Sequence, residues 1–128
     1  MRAWIFTCGL LGALAVALGA YGAHAVALLE DPAAGSRLQT AVAYHFYHVA
    51  ALLGVILLAV SKGDHLALRL SRWLFLIGIL CFSGSLYWLV LLGELGIPVV
   101  TPFGGLMLIG AWLALAAYGW VSSKTSGI

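Results

Sequence analysis

The chain has 128 residues, of which 64% are hydrophobic and 8% are charged, and its net charge is only +2. A globular protein carries roughly 25% charged residues, so this chain has too few polar side chains to cover a water-facing surface. The small net charge gives no support to nucleic-acid binding. The charged residues stand in short clusters between long apolar runs, which predicts a protein embedded in a lipid bilayer through several helices.

The first predicted membrane span covers residues 3–29, an apolar run long enough to cross a hydrocarbon core of about 30 Å as a helix. Arg2 and the later Ala23-His24-Ala25 imitate a secretory signal with its cleavage site. The apolar core of such a signal has only about 7–15 residues, and three more apolar runs follow here. We therefore predict an uncleaved first membrane helix.

Small residues in this span predict where a neighbouring helix packs. Four residues spaced by four, three and four positions share one helix face: Ala13, Ala17, Ala20 and His24. A face of small residues lets two helix backbones approach closely in a membrane. We expect Gly12 and Ala20 to contact a neighbouring helix, with His24 at the end of that contact.

The second predicted span runs over residues 37–60 and offers two possible starts. Asp31 can act as N-cap with Pro32 at the first helical position. Alternatively, Ser36 forms a capping box with the glutamine three residues later. We favour Ser36, because Gly35 would weaken a helix that began earlier.

A loop over residues 61–72 and a third span over residues 73–93 are predicted next. The middle of this span contains Ser83, Gly84 and Ser85. Small side chains and hydroxyl groups at this depth are typical of a helix–helix contact, so we expect this segment to face another helix.

The fourth predicted span covers residues 101–121. Thr101 as N-cap, followed by a proline in the first turn, is a typical helix start. Gly104 and Gly105 follow directly, and we interpret this pair as a site of close backbone approach; an anion-binding helix terminus is the alternative.

With four spans, the basic residues are strongly asymmetric across the membrane. Five lie on the side of the two termini, namely Arg2, Lys62, Arg69, Arg72 and Lys124, and only Arg37 lies on the other side. The positive-inside rule therefore places both termini in the cytoplasm. Because the loops are short, we predict a single domain over residues 1–128, folded as an all-α, antiparallel up-down four-helix bundle.

Four sequence motifs in register resemble those of a known family. They are Gly19-Ala20-Tyr21-Gly22-Ala23-His24, Tyr44-His45-Phe46-Tyr47-His48, Phe82-Ser83-Gly84-Ser85-Leu86-Tyr87 and Thr101-Pro102-Phe103-Gly104-Gly105. Together they resemble the domain-of-unknown-function family 423, the YgdD-like small membrane proteins, over nearly the whole chain. The resemblance implies a four-span protein of the bacterial inner membrane and implies no assigned activity.

The resemblance also bears on single residues. His24, Tyr44 and His48 match positions of the family pattern, whereas His45 stands where the family has glutamine. A mechanism that depends on His45 is therefore disfavoured.

Polar residues within the spans form the candidate site. We expect a cluster of His24, Tyr44, His45 and His48 with one of the serines Ser83 and Ser85. Residues at i, i+3 and i+4 share a helix face, so Tyr44, His45 and His48 can be presented together. The simplest interpretation is that these side chains pack helices together through hydrogen bonds.

Three ligand-based interpretations stay open beside it. His24 and His48, with or without His45, could bind a metal ion, although no carboxylate or thiolate joins them. Facing histidines could bind haem or line a quinone pocket. Histidines at membrane depth could also relay protons.

We interpret the chain as a small non-enzymatic accessory subunit that binds another membrane protein and carries no cofactor. The alternative is a redox, haem, quinone or metal-handling protein that uses His24 and His48. The sequence alone predicts no particular oligomeric state.

Overall fold

A computed structural model of the protein describes residues 1–25, 31–93 and 99–125. Within these residues the chain is all-α and forms four helices: α1 (Arg2–Ala25), α2 (Pro32–Lys62), α3 (Leu66–Leu92) and α4 (Val100–Thr125). Each is long enough and apolar enough to cross a membrane. The predicted helical class and the four membrane-length helices are confirmed. The predicted end of the first span at residue 29 lies outside the described residues.

The start of α2 differs from the sequence-based prediction. The N-cap is Asp31, whose side chain accepts a hydrogen bond of 2.9 Å from the backbone N–H of Ala33, and Pro32 occupies the first helical position. Ser36 is therefore not the cap. Gly35 lies buried inside the helix. A glycine there costs only about 1 kcal/mol, so a carboxylate cap with proline can outweigh it.

The predicted loop over residues 61–72 is also wrong, because nine of its twelve residues are helical. α2 continues to Lys62, Gly63 takes a positive φ of 94° as its C-cap, and α3 begins at Leu66. His65 caps α3 by accepting a hydrogen bond of 3.2 Å from the backbone N–H of Ala67. The capping residue is a histidine, whereas serine or aspartate usually marks the start of a helix. The sequence therefore did not reveal that α3 begins here.

Thr101 is not the N-cap of α4. The helix begins one residue earlier, at Val100. The Thr101 hydroxyl instead shares a hydrogen bond of 2.6 Å with the Ser85 hydroxyl of α3. The residue therefore joins two helices.

The helices pack in the order of the chain. α3 packs most extensively on α4 and next on α2, and α1 packs mainly on α2. In the described part of the chain, α1 and α4 share no extensive contact. The core contains fully enclosed side chains of α2 and α3, including Leu52, Ile56, Leu68 and Phe75. α1 and α4 are therefore the outer helices, and each has a broad uncovered face.

The contact between α3 and α4 is tight because it is built on glycine. A Cβ atom on Gly104 would lie 2.8 Å from the Cα of Phe82, and one on Gly78 would lie 3.0 Å from the backbone N of Leu108. The Ser71 hydroxyl donates a hydrogen bond of 2.9 Å to the carbonyl of Ala111. From one of these contacts to the next, the residue number rises in α3 and falls in α4.

A different stripe of α1 from the one predicted packs against α2. It contains Cys8, Gly12, Ala15, Gly19 and Gly22. A Cβ atom on Gly12 would lie 3.7 Å from Val49, and one on Gly22 would lie 3.2 Å from Leu38. Cys8 donates a hydrogen bond of 3.6 Å to the Val49 carbonyl.

The predicted alanine stripe points the other way. Ala13, Ala17, Ala20 and His24 are all exposed on the face of α1 opposite the α2 contact. The expectation that Ala20 contacts a neighbouring helix within the chain is therefore wrong. Glycine has no Cβ, so the glycine stripe permits a closer helix approach than alanine does.

Gly84 and Gly105 are packed less tightly against neighbouring helices than the sequence predicts. A Cβ atom on Gly84 would meet nothing within 4 Å, and one on Gly105 would make only an ordinary contact of 3.8 Å with the Phe82 ring. The residues that carry the packing around Gly84 are its two serine neighbours, described below.

Candidate functional site

His48 is the best-defined polar group near the centre of α2. Its side chain is buried, and its Nδ1 lies 2.6 Å from the backbone carbonyl oxygen of Tyr44, one turn earlier in the helix. A carbonyl can only accept, so Nδ1 donates and carries the hydrogen. In the neutral ring, Nε2 then holds the free lone pair.

Nε2 of His48 has no hydrogen bond to the described residues and is not enclosed by them. Nε2 is therefore available to accept a hydrogen bond or to coordinate a metal ion. A bond from Nδ1–H to a backbone carbonyl is a common way to fix this tautomer.

Aromatic rings from three helices surround His48. Its ring centroid lies 5.6 Å from that of Tyr44, 5.9 Å from that of Phe75 and 6.3 Å from that of Trp112. Tyr44 also stacks on Phe82 with a centroid distance of 4.7 Å. Tyr44 and Trp112 are 43% and 48% exposed, so this aromatic patch opens to the outside of the bundle.

His45 has a separate partner. It is 2% exposed, and its Nδ1 shares a hydrogen bond of 2.9 Å with the Tyr87 hydroxyl of α3. Its Nε2 is enclosed and makes no well-aligned hydrogen bond among the described residues, although the backbone of Leu11 in α1 lies close to the ring. Tyr87 is not among the site residues that the sequence predicts. Tyr87 follows Ser83 by four residues, so both lie on one face of α3. This spacing was the sequence signal that could have placed Tyr87 among the buried polar residues.

The two serines join helices, and neither forms a hydrogen bond with a histidine in the described part of the chain. Ser83, which is 1% exposed, donates a hydrogen bond of 2.8 Å to the Ala41 carbonyl of α2. Ser85 bonds Thr101 of α4 and also donates a bond of 2.9 Å to the carbonyl of Phe82. This segment thus connects α3 to α2 on one side and to α4 on the other.

The structure does not form the single cluster that the sequence predicts. His24 is exposed on the outer face of α1, and among the described residues it has no hydrogen bond or ring contact. The expectation that His24 points into the bundle beside His48 is therefore wrong. His45 and His48, although one turn apart, bond different partners.

This separation limits the chemistry that one chain can perform. In residues 1–25, 31–93 and 99–125, no group of three or more His, Cys, Asp or Glu side chains is placed to hold a metal ion. His24 and His48 are on opposite sides of the α1–α2 contact, so they do not form a shared binding site within one chain. His48 alone offers a free imidazole nitrogen beside an exposed aromatic patch.

A cavity of about 570 Å³ lies between α1 and α2. Its walls are almost entirely apolar and include Gly19, Leu38 and Val42, and Gln39 is the polar residue in its lining. None of the histidines lines it, so it is separate from the polar groups described above.

Comparison with known proteins places these features in a family. The profile described as "Protein of unknown function (DUF423)" matches residues 18–105. A UPF0382 membrane protein of Haemophilus influenzae is 40% identical over 116 residues, which cover 91% of each chain. The UPF0382 membrane protein YwdK of Bacillus subtilis is 36% identical, over 90% of this chain and 94% of its own length.

The UPF0382 inner membrane protein YgdD of Escherichia coli is 32% identical over 133 residues, which cover 99% of this chain and 95% of YgdD. No solved structure matches the chain significantly. The names of these relatives give a location in the membrane and no biochemical activity.

Proposed function

The chain belongs to the DUF423 family of membrane proteins, and we propose that it is a small non-enzymatic subunit that binds another protein within the bacterial inner membrane. The observation that carries the proposal is the outer face of α1. On this face Ala13, Ala17 and Ala20 form a stripe of small residues that ends at His24, and all four residues are exposed.

The stripe of small residues on α1 differs from a surface that suits lipid. The most exposed residues of α4 are large, since Leu106, Leu113 and Trp120 are 63%, 65% and 68% exposed. Small residues on a membrane helix favour close contact with another helix, because they let backbones approach and van der Waals packing replace lipid contacts.

His24 adds a polar requirement to the same face. An imidazole exposed to hydrocarbon without a partner costs on the order of several kcal/mol. A hydroxyl or carbonyl group of a second membrane protein would satisfy it, as polar side chains do between packed membrane helices. The proposed partner therefore presents a small-residue helix with a polar group near its end.

In the proposed topology the helices alternate in direction, with both termini in the cytoplasm. Two observations support this arrangement. From one helix contact to the next, the residue number rises in one helix and falls in its neighbour, as in the pairs Gly12–Val49 and Gly22–Leu38. Five basic residues also lie on the proposed cytoplasmic side, against only Arg37 on the other.

Photo-cross-linking in living cells tests the proposed contact. A photoreactive amino acid replaces Ala17 on the outer face of α1 or, as a matched control, Ala117, which is an exposed alanine of α4. We expect a covalent adduct with a different membrane protein from position 17 and none from position 117. An adduct of two copies of this chain, or equal labelling at both positions, would contradict the proposal.

A second candidate function rests on His48. Its tautomer leaves Nε2 free beside the aromatic patch of Tyr44, Phe75 and Trp112. This arrangement favours binding of haem, of a quinone, or of a metal ion that a further ligand also coordinates. An optical spectrum and a metal analysis of the purified protein test this alternative. A Soret band or stoichiometric metal that disappears in His48→Phe would favour it over the subunit role.

A further inference from the structure

The backbone of α2 fixes the tautomer of His48. The ring nitrogen Nδ1 lies 2.6 Å from the carbonyl oxygen of Tyr44, so a lone pair on Nδ1 would face a lone pair on that oxygen. The neutral ring therefore carries its hydrogen on Nδ1 and its lone pair on Nε2. Nε2 accepts a hydrogen bond and cannot donate one, and this direction restricts the ligands that it can bind.

Nε2 of His48 reaches the surface of a side chain that is otherwise buried. The residue is 8% exposed, and Nε2 is neither enclosed nor hydrogen-bonded by the described part of the chain. The surface around the imidazole is the aromatic patch of Tyr44, Phe75 and Trp112. Because an acceptor left unpaired in hydrocarbon is destabilising, a donor from a molecule dissolved in the membrane would stabilise this site.

A metal ion fits this site poorly, because His48 supplies a single nitrogen. A protein metal site usually has about three or four protein ligands. Among the residues that the structure describes, no group of three or more His, Cys, Asp or Glu side chains is placed to hold a metal ion. One hydrogen-bond donor, by contrast, satisfies the lone pair of Nε2 completely.

Haem fits the site poorly for a different reason. A single histidine can ligate haem iron, but the two propionates of haem need cationic or strongly polar partners. On α2 the basic residues Arg37 and Lys62 stand eleven residues before His48 and fourteen residues after it, which corresponds to ~16 Å and ~21 Å along the helix. Arg72 of α3 is buried and paired with Asp64. The patch therefore suits an uncharged ligand.

The patch also favours a ligand with a flat ring. Tyr44 and Trp112 are 43% and 48% exposed, and the stack of Tyr44 on Phe82 extends the patch along α3. Aromatic rings bind each other in offset stacks or edge to face. A hydroquinone combines such a ring with hydroxyl donors and is lipophilic, so it can reach the patch from the bilayer.

We propose that the patch around His48 binds the reduced form of a membrane quinone, with one hydroxyl of the hydroquinone donating a hydrogen bond to Nε2. The oxidised form has only carbonyl acceptors, whose lone pairs would face the lone pair of Nε2. The Tyr44 hydroxyl and the Trp112 N–H can donate to an oxygen of either form, so Nε2 makes the distinction. Binding alone is proposed, with no electron transfer. The site rests on the second candidate function, in which His48 binds a ligand, and is independent of the subunit role.

Isothermal titration calorimetry of the purified full-length protein in dodecyl maltoside tests the site under anaerobic conditions. The probes are decylubiquinol, decylubiquinone and the dimethyl ether of decylubiquinol, which keeps the ring and lacks both donors. The variants are His48→Phe, which keeps an aromatic ring without the acceptor, and Tyr47→Phe as the matched control. Tyr47 is 66% exposed, so this control removes a polar group of α2 outside the site.

The wild type and Tyr47→Phe should bind decylubiquinol about tenfold more tightly than either of the other probes, because only decylubiquinol donates to Nε2. His48→Phe should bind decylubiquinol no more tightly than the dimethyl ether. Equal affinity of the wild type for all three probes overturns the proposal, and so does a preference for decylubiquinol that persists in His48→Phe.

The comparison of the three probes on the wild type needs no substitution, so it decides the proposal even if His48→Phe does not fold. A failure of the second candidate function as a whole looks different. In that case none of the probes binds in a way that depends on His48, and the protein also lacks a Soret band and stoichiometric metal. A Soret band or metal that depends on His48, without any preference for decylubiquinol, overturns the hydroquinone site and leaves the second candidate function standing.

Discussion

Gly104 of α4 lies directly against the backbone of Phe82 in α3, where an added Cβ atom would come within 2.8 Å of the Phe82 Cα and closer still to its backbone nitrogen. The neighbouring Gly105 has no such restriction, because its Cβ would meet only the Phe82 ring at 3.8 Å. Two adjacent glycines of one helix therefore have different structural requirements.

Gly104→Ala should destabilise the protein, and Gly105→Ala should not. The added methyl group at position 104 meets backbone that cannot rotate away, so α4 has to move from α3. Overpacking of this kind typically costs ~1–3 kcal/mol. Thermal unfolding in detergent measures the difference, with Gly105→Ala as the control for the loss of glycine flexibility. Equal Tm values for the two variants would contradict the tight contact.

Gly84→Ala should be neutral or stabilising, in contrast to the expectation from the sequence that this glycine is tightly packed. A Cβ atom there meets nothing within 4 Å, and alanine is more favourable than glycine in a helix by up to ~1 kcal/mol. The same unfolding assay checks this prediction. A Tm well below that of the wild type would mean that another surface packs on Gly84.

The sequence predicted the helical class and the number of long apolar helices, because both follow from composition. It did not predict which stripe of α1 is buried, since small residues run along both faces of that helix. The stripe through Gly12, Gly19 and Gly22 packs on α2, and the stripe through Ala17 and Ala20 stays outside. Sequence spacing alone does not show that glycine permits the closer approach.

The prediction of a histidine cluster failed for the same reason. His24 follows the alanine stripe to the outside of α1, so it is separated from His48. The buried partner of His45 is Tyr87, which lies on a helix whose rotation the sequence does not reveal. Periodicity shows which residues share a face but not what that face contacts.

Tyr87→Phe should destabilise the bundle by about 1–3 kcal/mol, because it leaves the enclosed His45 ring without its hydrogen-bond partner. Tyr47→Phe is the matched control, since Tyr47 is 66% exposed. The free energy of unfolding of each variant measures the effect. Restoration of stability in the double variant His45→Leu and Tyr87→Phe would show that the cost comes from an unpaired polar group. A Tyr87→Phe variant as stable as Tyr47→Phe would show that the bond contributes little.

Reporter fusions test the proposed topology. A fusion at Ile128 should be active in the cytoplasm, and an insertion between residues 31 and 36 should report the opposite side. The physical reason is the five-to-one distribution of basic residues. A periplasmic C-terminus would contradict an even number of membrane crossings with the N-terminus inside.

The most direct test of the subunit role is the mass of the native particle extracted with its lipid by a styrene–maleic acid copolymer. Ala17→Leu adds bulk to the outer face of α1, and Ala117→Leu adds the same bulk to an exposed alanine of α4. The wild type and Ala117→Leu should be recovered in a particle that contains a second, different membrane protein. Ala17→Leu should yield the chain without that protein and with an unchanged Tm. Particles that contain only this chain in all three cases, or a partner retained equally by Ala17→Leu, would contradict the proposed role of the α1 face.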